Sequence, residues 1–300
     1  MRGHESALAV AARQHVPRAG LGVWSRLMMR TITIAALCAA CGPTPRSGDN
    51  VGASDASVVP GGDAGSNTGS GTSETVYVYA HTDSVLYRVD PDTLAITEVG
   101  PFVWSNGSDT MTDIAIDKSG QMIGVSFSSA YRVDPTNAHA TQLTSNLGGT
   151  FNGLSFVPAE QLGQTGDDVL VGTRNSDGLV FRIDPMNGAV TQVGNMGGSF
   201  ASSGDLVAVA NFGTVQTVKT AGHDQLARLA PSTFAATGIG SDTGFGQIWG
   251  IAYWKNKIYG FTQGGAFILI DPGTGVATLV SQTNESWYGA AVTTLAPVIQ

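Results

Sequence analysis

The stretch LYRVDPDTLAITEVG, Leu86–Gly100, decides the fold of this 300-residue chain because it recurs. It contains two runs rich in strand-forming residues around an Asp-Pro turn, which is the pattern of a β-hairpin. The related stretches are AYRVDPTNAHATQLT from Ala130, VFRIDPMNGAVTQVG from Val180, LARLAPSTFAATGIG from Leu226 and FILIDPGTGVATLVS from Phe267. The turn prolines, Pro91, Pro135, Pro185, Pro231 and Pro272, follow one another at spacings of 41 to 50 residues. This period predicts a β-propeller.

Two further strands accompany the hairpins. An apolar strand with small residues at its entrance suits the crowded axis of a propeller. It occurs as TDIAIDKSG from Thr112, NGLSFVP from Asn152, SGDLVAV from Ser203, WGIAYWKN from Trp249 and YGAAVTTLAP from Tyr288. The other strand occurs as TVYVYA from Thr75, QMIGVSF from Gln121, DVLVGT from Asp168, GTVQTVK from Gly213 and KIYGFT from Lys257. The first hairpin has no inner strand before it, and the last inner strand has no hairpin after it. We therefore expect an all-β, five-bladed propeller of four-stranded blades over residues 75–300. The C-terminal strand closes the first blade and leaves no open sheet edge.

The repeated Asp-Pro pair is interpreted as a turn device. Proline fixes φ for the first corner, the Asp90 carboxylate can accept hydrogen bonds from backbone N–H groups two residues on, and Gly188 or Gly275 suits a left-handed position that follows. The fourth repeat has Ala230 in place of the acid. A ligand site repeated in every blade would lose its acid there, so the pattern favours a structural role.

The repeats resemble those of secreted bacterial propellers with Tyr-Arg-Val-Asp-Pro-type repeats, and loosely those of NHL and quinoprotein-type blades. The resemblance covers about residues 75–297. It implies the fold and no particular activity, because no quinone-binding or catalytic set of that class matches positions here.

Composition narrows the function classes. The formal net charge is −8 and no basic stripe is present, so we expect no nucleic-acid partner. Both cysteines, Cys38 and Cys41, lie near the N-terminus, so the repeats offer no disulfide, thiol nucleophile or thiolate metal ligand. The five histidines show no ligand or triad spacing, and no phosphate-binding loop is present. We expect no cofactor, no metal and a monomer.

The N-terminal segment has the pattern of an export signal. Residues 1–27 are interpreted as a misassigned start or a long leading region, and residues 28–40 as a signal peptide with a short apolar run. The sequence Ala39-Ala40-Cys41 resembles a bacterial lipobox, which implies a lipidated Cys41, although Cys38 stands where leucine is usual. The alternative is an ordinary cleaved signal. Residues 41–74 are rich in Gly, Ser, Asp and Pro, which predicts a flexible linker. Gly42 after the cysteine favours the outer membrane, with the protein facing the periplasm or the cell surface.

The loops that lead into the inner strands carry the candidate binding residues. Aromatic rings beside amide groups suit sugars or extended peptides, and the predicted ligand-binding rim comprises Trp104, Asn106, Asn152, Phe200, Trp249, Trp287 and Tyr288. The alternative is that these rings wedge adjacent blades together. Asp113 is the one carboxylate among the five aligned strand entrances, with Asp109, Asp205, Asp242 and Glu285 nearby in sequence.

Two functions follow from these features. The first is a lipid-anchored binding or scaffold module of the cell envelope that presents a propeller face to a protein or glycan and meets the membrane only through its anchor. The alternative is a glycosidase-like or other hydrolase that uses Asp113 with a second carboxylate in the central funnel. A lone Asp113 that acts as a turn or cap residue is the simpler interpretation of that side chain.

Overall fold

The computed structural model describes residues 77–175 and 177–299. These residues form 21 strands and one short 3-10 helix. The predicted signal peptide, Cys41 and the linker through residue 74 lie outside the described residues.

The strands form five sheets, one for each predicted blade, numbered here along the chain. Blade 1 consists of β1 (Val78–His81), β2 (Val85–Val89), β3 (Ile96–Pro101) and the C-terminal β21 (Gly289–Ala291). Blade 2 consists of β4 (Val103–Trp104), β5 (Asp113–Ile116), β6 (Met122–Val125), β7 (Ala130–Val133) and β8 (His139–Thr144). Blade 3 consists of β9 (Gly153–Val157), β10 (Val169–Thr173), β11 (Leu179–Ile183) and β12 (Val190–Asn195), with the 3-10 helix Ala159–Leu162 between its first two strands.

The remaining two blades repeat the same plan. Blade 4 consists of β13 (Ser202–Val209), β14 (Gly213–Val218), β15 (Gln225–Leu229) and β16 (Ala236–Ile239). Blade 5 consists of β17 (Ile248–Trp254), β18 (Lys257–Thr262), β19 (Ala266–Ile270) and β20 (Ala277–Gln282). The inner strands β21, β5, β9, β13 and β17 contact one another in turn around a central axis. The predicted five-bladed propeller is confirmed.

Ring closure also follows the prediction. β21 pairs antiparallel with β1, with Ala80 opposite Ala290 and His81 opposite Gly289. Blade 1 is thus assembled from both ends of the described chain, and β1 is no longer an open edge. A feature that the repeats did not predict is β4, which pairs in parallel with β8 and adds a fifth strand to blade 2.

The Asp-Pro turns join the third and fourth strands of each blade, as the repeat predicts. Asp90 Oδ1 accepts hydrogen bonds from the backbone N–H groups of Asp92 at 2.9 Å and Thr93 at 3.0 Å. These donors lower the pKa of the Asp90 carboxyl. Gly188 and Gly275 have φ values of 75° and 74°, which is the left-handed conformation expected after the turn. The turn interpretation of the acid is therefore confirmed.

Apolar faces pack between neighbouring blades and form the core. Five inner-strand residues are buried there: Ile114, Leu154, Phe156, Ile251 and Tyr253. Backbone hydrogen bonds also cross the seams at the outer edge. Gly148 N–H donates to the Gly188 carbonyl at 2.8 Å, and Asn195 N–H donates to the Thr233 carbonyl at 3.2 Å. The ring is held by packing and by these edge contacts.

Strand direction gives the propeller two distinct faces. All five inner strands begin on the face that we name the mouth face, and the Asp-Pro turns lie on the opposite face, which we name the turn face. β1 runs antiparallel to β21, so the described chain enters β1 from the turn face. None of the helices in residues 77–299 that the structure describes is long and apolar enough to cross a membrane.

Candidate functional site

A concave site opens on the mouth face where four inner strands, β5, β9, β17 and β21, begin. One compartment has a volume of about 170 Å³ and is lined by Thr112, Phe127, Asn152, Asn175, Trp249 and Tyr288. A second compartment of about 210 Å³ is lined by Phe127, Thr150, Phe151, Asn152, Arg174 and Asn175. Because the two share Phe127, Asn152 and Asn175, we treat them as one site, the mouth cleft.

Two aromatic rings form a corner of the mouth cleft. The Trp249 and Tyr288 ring centroids are 5.4 Å apart with an interplanar angle of 84°, and both side chains are partly exposed. Each ring precedes a glycine at the start of an inner strand. A Cβ atom on Gly250 would lie 2.5 Å from the carbonyl carbon of Gly289, so glycine lets β17 and β21 approach closely. This close approach brings the two rings together.

An amide pair forms the facing side of the cleft. With the Asn175 amide nitrogen directed at the Ser203 carbonyl, 3.1 Å away, the Asn175 amide oxygen accepts from Asn152 Nδ2 at 2.7 Å. Arg174 at the outer end of the cleft is ion-paired with Asp177 at 2.6 Å. Its guanidinium also stacks over the Phe181 ring, 4.4 Å from the ring centroid. The Asn152 and Asn175 amides are thus oriented, and Asp177 offsets the charge of Arg174.

Two buried acids lie beneath the cleft floor on the axis. Asp113 and Asp205 are both fully buried, and their carboxyl groups are hydrogen-bonded to each other. Asp205 also accepts from the backbone N–H groups of Leu206 at 2.6 Å and Ile251 at 2.9 Å, and more weakly from Leu154 at 3.4 Å. These donors belong to β13, β17 and β9, so one carboxylate links the inner strands of three blades.

Burial favours the protonated form of this acid pair. Burial raises the pKa of the Asp113 carboxyl well above its usual range, and the adjacent Asp205 charge raises it further. Burial also raises the pKa of Asp205, while its backbone donors and the hydrogen bond from Asp113 oppose that rise. Asp113 Oδ2 faces no donor group among the described residues, so as a carboxylic acid it can donate where a carboxylate would be unpaired. We therefore assign the proton to Asp113, which donates to Asp205.

His81 completes the buried cluster. Its Nδ1 lies 2.6 Å from the Thr82 carbonyl, which makes Nδ1 the protonated nitrogen. Its Nε2 carries the lone pair and lies 3.8 Å from Asp113 Oδ1. Burial lowers the pKa of His81 to about 4, so the imidazole is neutral. Gly289 is wedged against both groups, since a Cβ atom there would collide with Asp113 Oδ1 and His81 Nε2.

The structure brings three of the seven predicted rim residues together: Asn152, Trp249 and Tyr288 line the mouth cleft. Trp287 is fully buried in the core, with its ring 5.0 Å from that of Tyr87. Its neighbour Tyr288 is the one that reaches the cleft, because successive side chains point in opposite directions in extended chain.

The other three predicted rim residues lie away from the cleft. The Trp104 ring packs 4.8 Å from Tyr131, and Asn106 Nδ2 donates to Gln142 Oε1 at 3.0 Å, so both lie along the outer edge of blade 2. Phe200 is partly buried against the core between blades 3 and 4. The Trp104 and Phe200 rings pack against the blades, whereas Asn106 is exposed.

Sequence reasoning missed Phe127, Arg174 and Asn175. All three follow the second strand of a blade, at the ends of QMIGVSF and DVLVGT, whereas the predicted rim was drawn from the loops before the inner strands. In a propeller both sets of loops reach the same face. Their position directly after a predicted strand was the available signal.

Asp113 does have a carboxylate partner, Asp205, but the pair is closed to substrate. Glycosidases hold their two carboxyl groups apart, about 5 to 9 Å, so that the sugar fits between them. Here the groups touch and neither is exposed to solvent. The hydrolase alternative stays a prediction that this geometry does not favour. In the part of the chain that the structure describes, no three His, Cys, Asp or Glu side chains are grouped to hold a metal ion.

Comparison with known proteins adds little to this description. No protein-family model and no curated protein matches the chain. Among solved structures, a chain from "Crystal structure of Nidogen/Laminin Complex" is similar, with 10% sequence identity and a TM-score of 0.47 over 72% of this chain and 98% of that chain.

Proposed function

We propose that this protein is a binding module of the cell envelope, anchored through a lipid on Cys41, that presents the mouth cleft to its ligand. The observation that carries the proposal is the cleft itself. An aromatic corner and an oriented amide pair stand open to solvent above acids that are sealed from it. A few oriented polar groups among aromatic surface is the usual constitution of a ligand site.

Photo-crosslinking from two matched positions tests the binding role. Phe127 on the mouth face is 57% exposed and Met186 on the turn face is 60% exposed, so each can be replaced by a photoreactive amino acid. We expect irradiation of intact cells to give a specific adduct from position 127 and none from position 186. Equal labelling from both positions, or labelling from position 186 alone, would contradict the proposal.

The anchor is tested separately. The substitution Cys41→Ala is expected to move the protein from the membrane fraction to the soluble fraction, whereas Cys38→Ala is expected to leave it with the membrane. Mass spectrometry of the mature N-terminus detects the lipid directly. An unmodified Cys41 in membrane-bound protein would contradict the anchor.

A further inference from the structure

The mouth cleft has the size and shape for one or two small rings. Its two compartments, about 170 and 210 Å³, meet at the shared side chains Phe127, Asn152 and Asn175. Each compartment has aromatic lining: Trp249 and Tyr288, whose rings meet at 84°, in one, and Phe127 and Phe151 in the other. A ligand that fits must therefore present an apolar face beside polar edges.

The polar groups of the cleft favour hydroxyl partners. Asn175 is held by the Ser203 carbonyl and by Asn152 Nδ2, so its position is fixed. Thr112 Oγ1 is already committed to the Val125 carbonyl at 3.0 Å. The Asn152 amide and the Tyr288 hydroxyl line the same compartment as the Trp249 ring, and each of these groups can both donate and accept hydrogen bonds. Such hydrogen-bonding groups next to an aromatic face suit a ligand that has hydroxyl groups at its edge and C–H groups on its face.

The charge of the cleft argues against an anionic ligand. Arg174 is the charged side chain in its lining, and Asp177 already pairs with it at 2.6 Å. Lys219 nearby is held by the Asn175 carbonyl at 2.7 Å. Asp177 offsets the charge of Arg174, which favours a neutral ligand over an anionic one.

The strands around the cleft argue against a peptide that adds to a sheet edge. Such a peptide needs a free row of backbone groups. At the cleft floor the inner strands are pressed together through Gly153, Gly204, Gly250 and Gly289, where even a Cβ atom would meet the next strand or the buried acids. No added strand can enter there.

From these observations we infer that the mouth cleft binds a neutral saccharide, with one sugar ring stacked on Trp249 and its hydroxyl groups bonded to Asn152 and Tyr288. A pyranose has an apolar C–H face and a rim of hydroxyls, which is the combination that the cleft can satisfy. The inference rests on the binding role proposed above and names the ligand class for that same site.

The test uses the full chain with fluorotryptophan and ¹⁹F NMR, with the Trp249 signal assigned from Trp249→Phe. The neutral probes are maltose, cellobiose and N,N′-diacetylchitobiose. The contrasting probes are glucuronate, N-acetylneuraminate and a pool of tripeptides. We expect at least one neutral disaccharide to shift the Trp249 signal in a saturable way. Asn152→Ala should weaken that binding about tenfold, the loss of one well-placed hydrogen bond in a binding site.

Asn106→Ala is the matched control, because this exposed amide lies on the outer edge of blade 2 and should leave the titration unchanged. A Trp249 signal that moves with the anionic probes or the peptides, but with none of the neutral sugars, overturns the saccharide inference and keeps the binding role. A signal that moves with no probe, while position 127 still crosslinks to a protein, also overturns the saccharide inference alone. If no probe moves the Trp249 signal and position 127 gives no crosslinked adduct, the binding role is overturned as well.

Discussion

At the residue scale, the pair Asp113 and Asp205 joins the axis of the propeller through one shared proton. The two acids have different tasks. Asp205 accepts backbone N–H groups from three blades, whereas the short backbone hydrogen bond to Asp113 comes from Ile114 of its own blade, at 2.8 Å. Asp205 is thus needed as an acceptor, and Asp113 is needed as a donor.

Isosteric substitutions separate these two tasks. Asp113→Asn keeps a donor toward Asp205, so we expect it to change the free energy of unfolding by less than about 1 kcal/mol. Asp205→Asn replaces an acceptor oxygen at the centre of three strands with a donor amide and should cost roughly 2 to 4 kcal/mol. Urea denaturation followed by fluorescence measures both. Equal costs for the two variants would contradict the assignment of the proton to Asp113.

The same assignment predicts how stability depends on pH. The folded-state pKa of Asp113 is raised, so the folded protein holds this proton more tightly than the unfolded chain does. Stability from this group is fully present below the ordinary pKa of aspartate, about 3.9, and is lost as pH rises through the raised folded value. The wild-type melting temperature should fall on the alkaline side, and Asp113→Asn should remove part of that fall. Parallel alkaline slopes in the two proteins would be inconsistent with a protonated Asp113.

His81 affects stability on the acid side of the pH profile. Its folded-state pKa is lowered to about 4, so stability that is present above the ordinary value of 6.5 is lost as pH falls toward 4. Asp90, Asp134 and Asp271 in the turns have lowered pKa values and also lose their contribution in acid. The groups with raised pKa values act on the alkaline side: Asp113, Asp205 and Asp224 and, near pH 12, Tyr87 and Tyr259. The two sides of the pH profile therefore report different groups.

At the element scale, the Asp-Pro hairpins show why four acids and one alanine serve the same turn. Asp134 accepts from the Thr136 N–H at 2.8 Å and from Asn137 Nδ2 at 3.0 Å. In the fourth repeat, the Ser232 N–H instead donates to the Gln161 carbonyl at 3.1 Å, and Gln161 belongs to the 3-10 helix of blade 3. A contact with a neighbouring blade replaces the acid.

This difference predicts opposite responses to exchange of the two residues. Asp134→Ala removes the acceptor for several turn donors and should cost about 1 kcal/mol. Ala230→Asp should give no gain, because the Ser232 N–H is already committed to Gln161. Thermal denaturation of the two variants beside the wild type provides the measurement. A clear gain of stability in Ala230→Asp would show that the fourth turn lacks a cap after all.

The inner strands show where prediction from the sequence succeeds and where it stops. The repeat period and the strand entrances were sufficient for the five blades and for Asn152, Trp249 and Tyr288. The acid pair was not predicted as a pair because Asp205 stands one residue later than Asp113 in the aligned inner strands. A register shift in β13, between Ser202 and Leu206, accompanies its position on the axis. A bulge of this kind redirects side chains without a signal in the local pattern.

At the scale of the whole molecule, the ring depends on how closely β21 returns to blade 1 and to the axis. Gly289 pairs with His81 in β1 and touches Asp113 in blade 2, so one position joins the last strand to two other blade elements. The ring closes because β21 pairs with β1, and without this pairing the first blade would lack its inner strand.

Gly289→Ala tests that closure with a single methyl group. The new Cβ would collide with Asp113 Oδ1 and His81 Nε2, which are buried and have little room to move. We expect a loss of about 2 kcal/mol or more, as for overpacking of a filled core, and faster hydrogen exchange in β1. Gly222→Ala is the matched control, since no atom lies within 4 Å of a Cβ there. If both variants melt together with the wild type, the axis has more freedom than this packing allows, and closure would have to rest on the pairing of β21 with β1 alone.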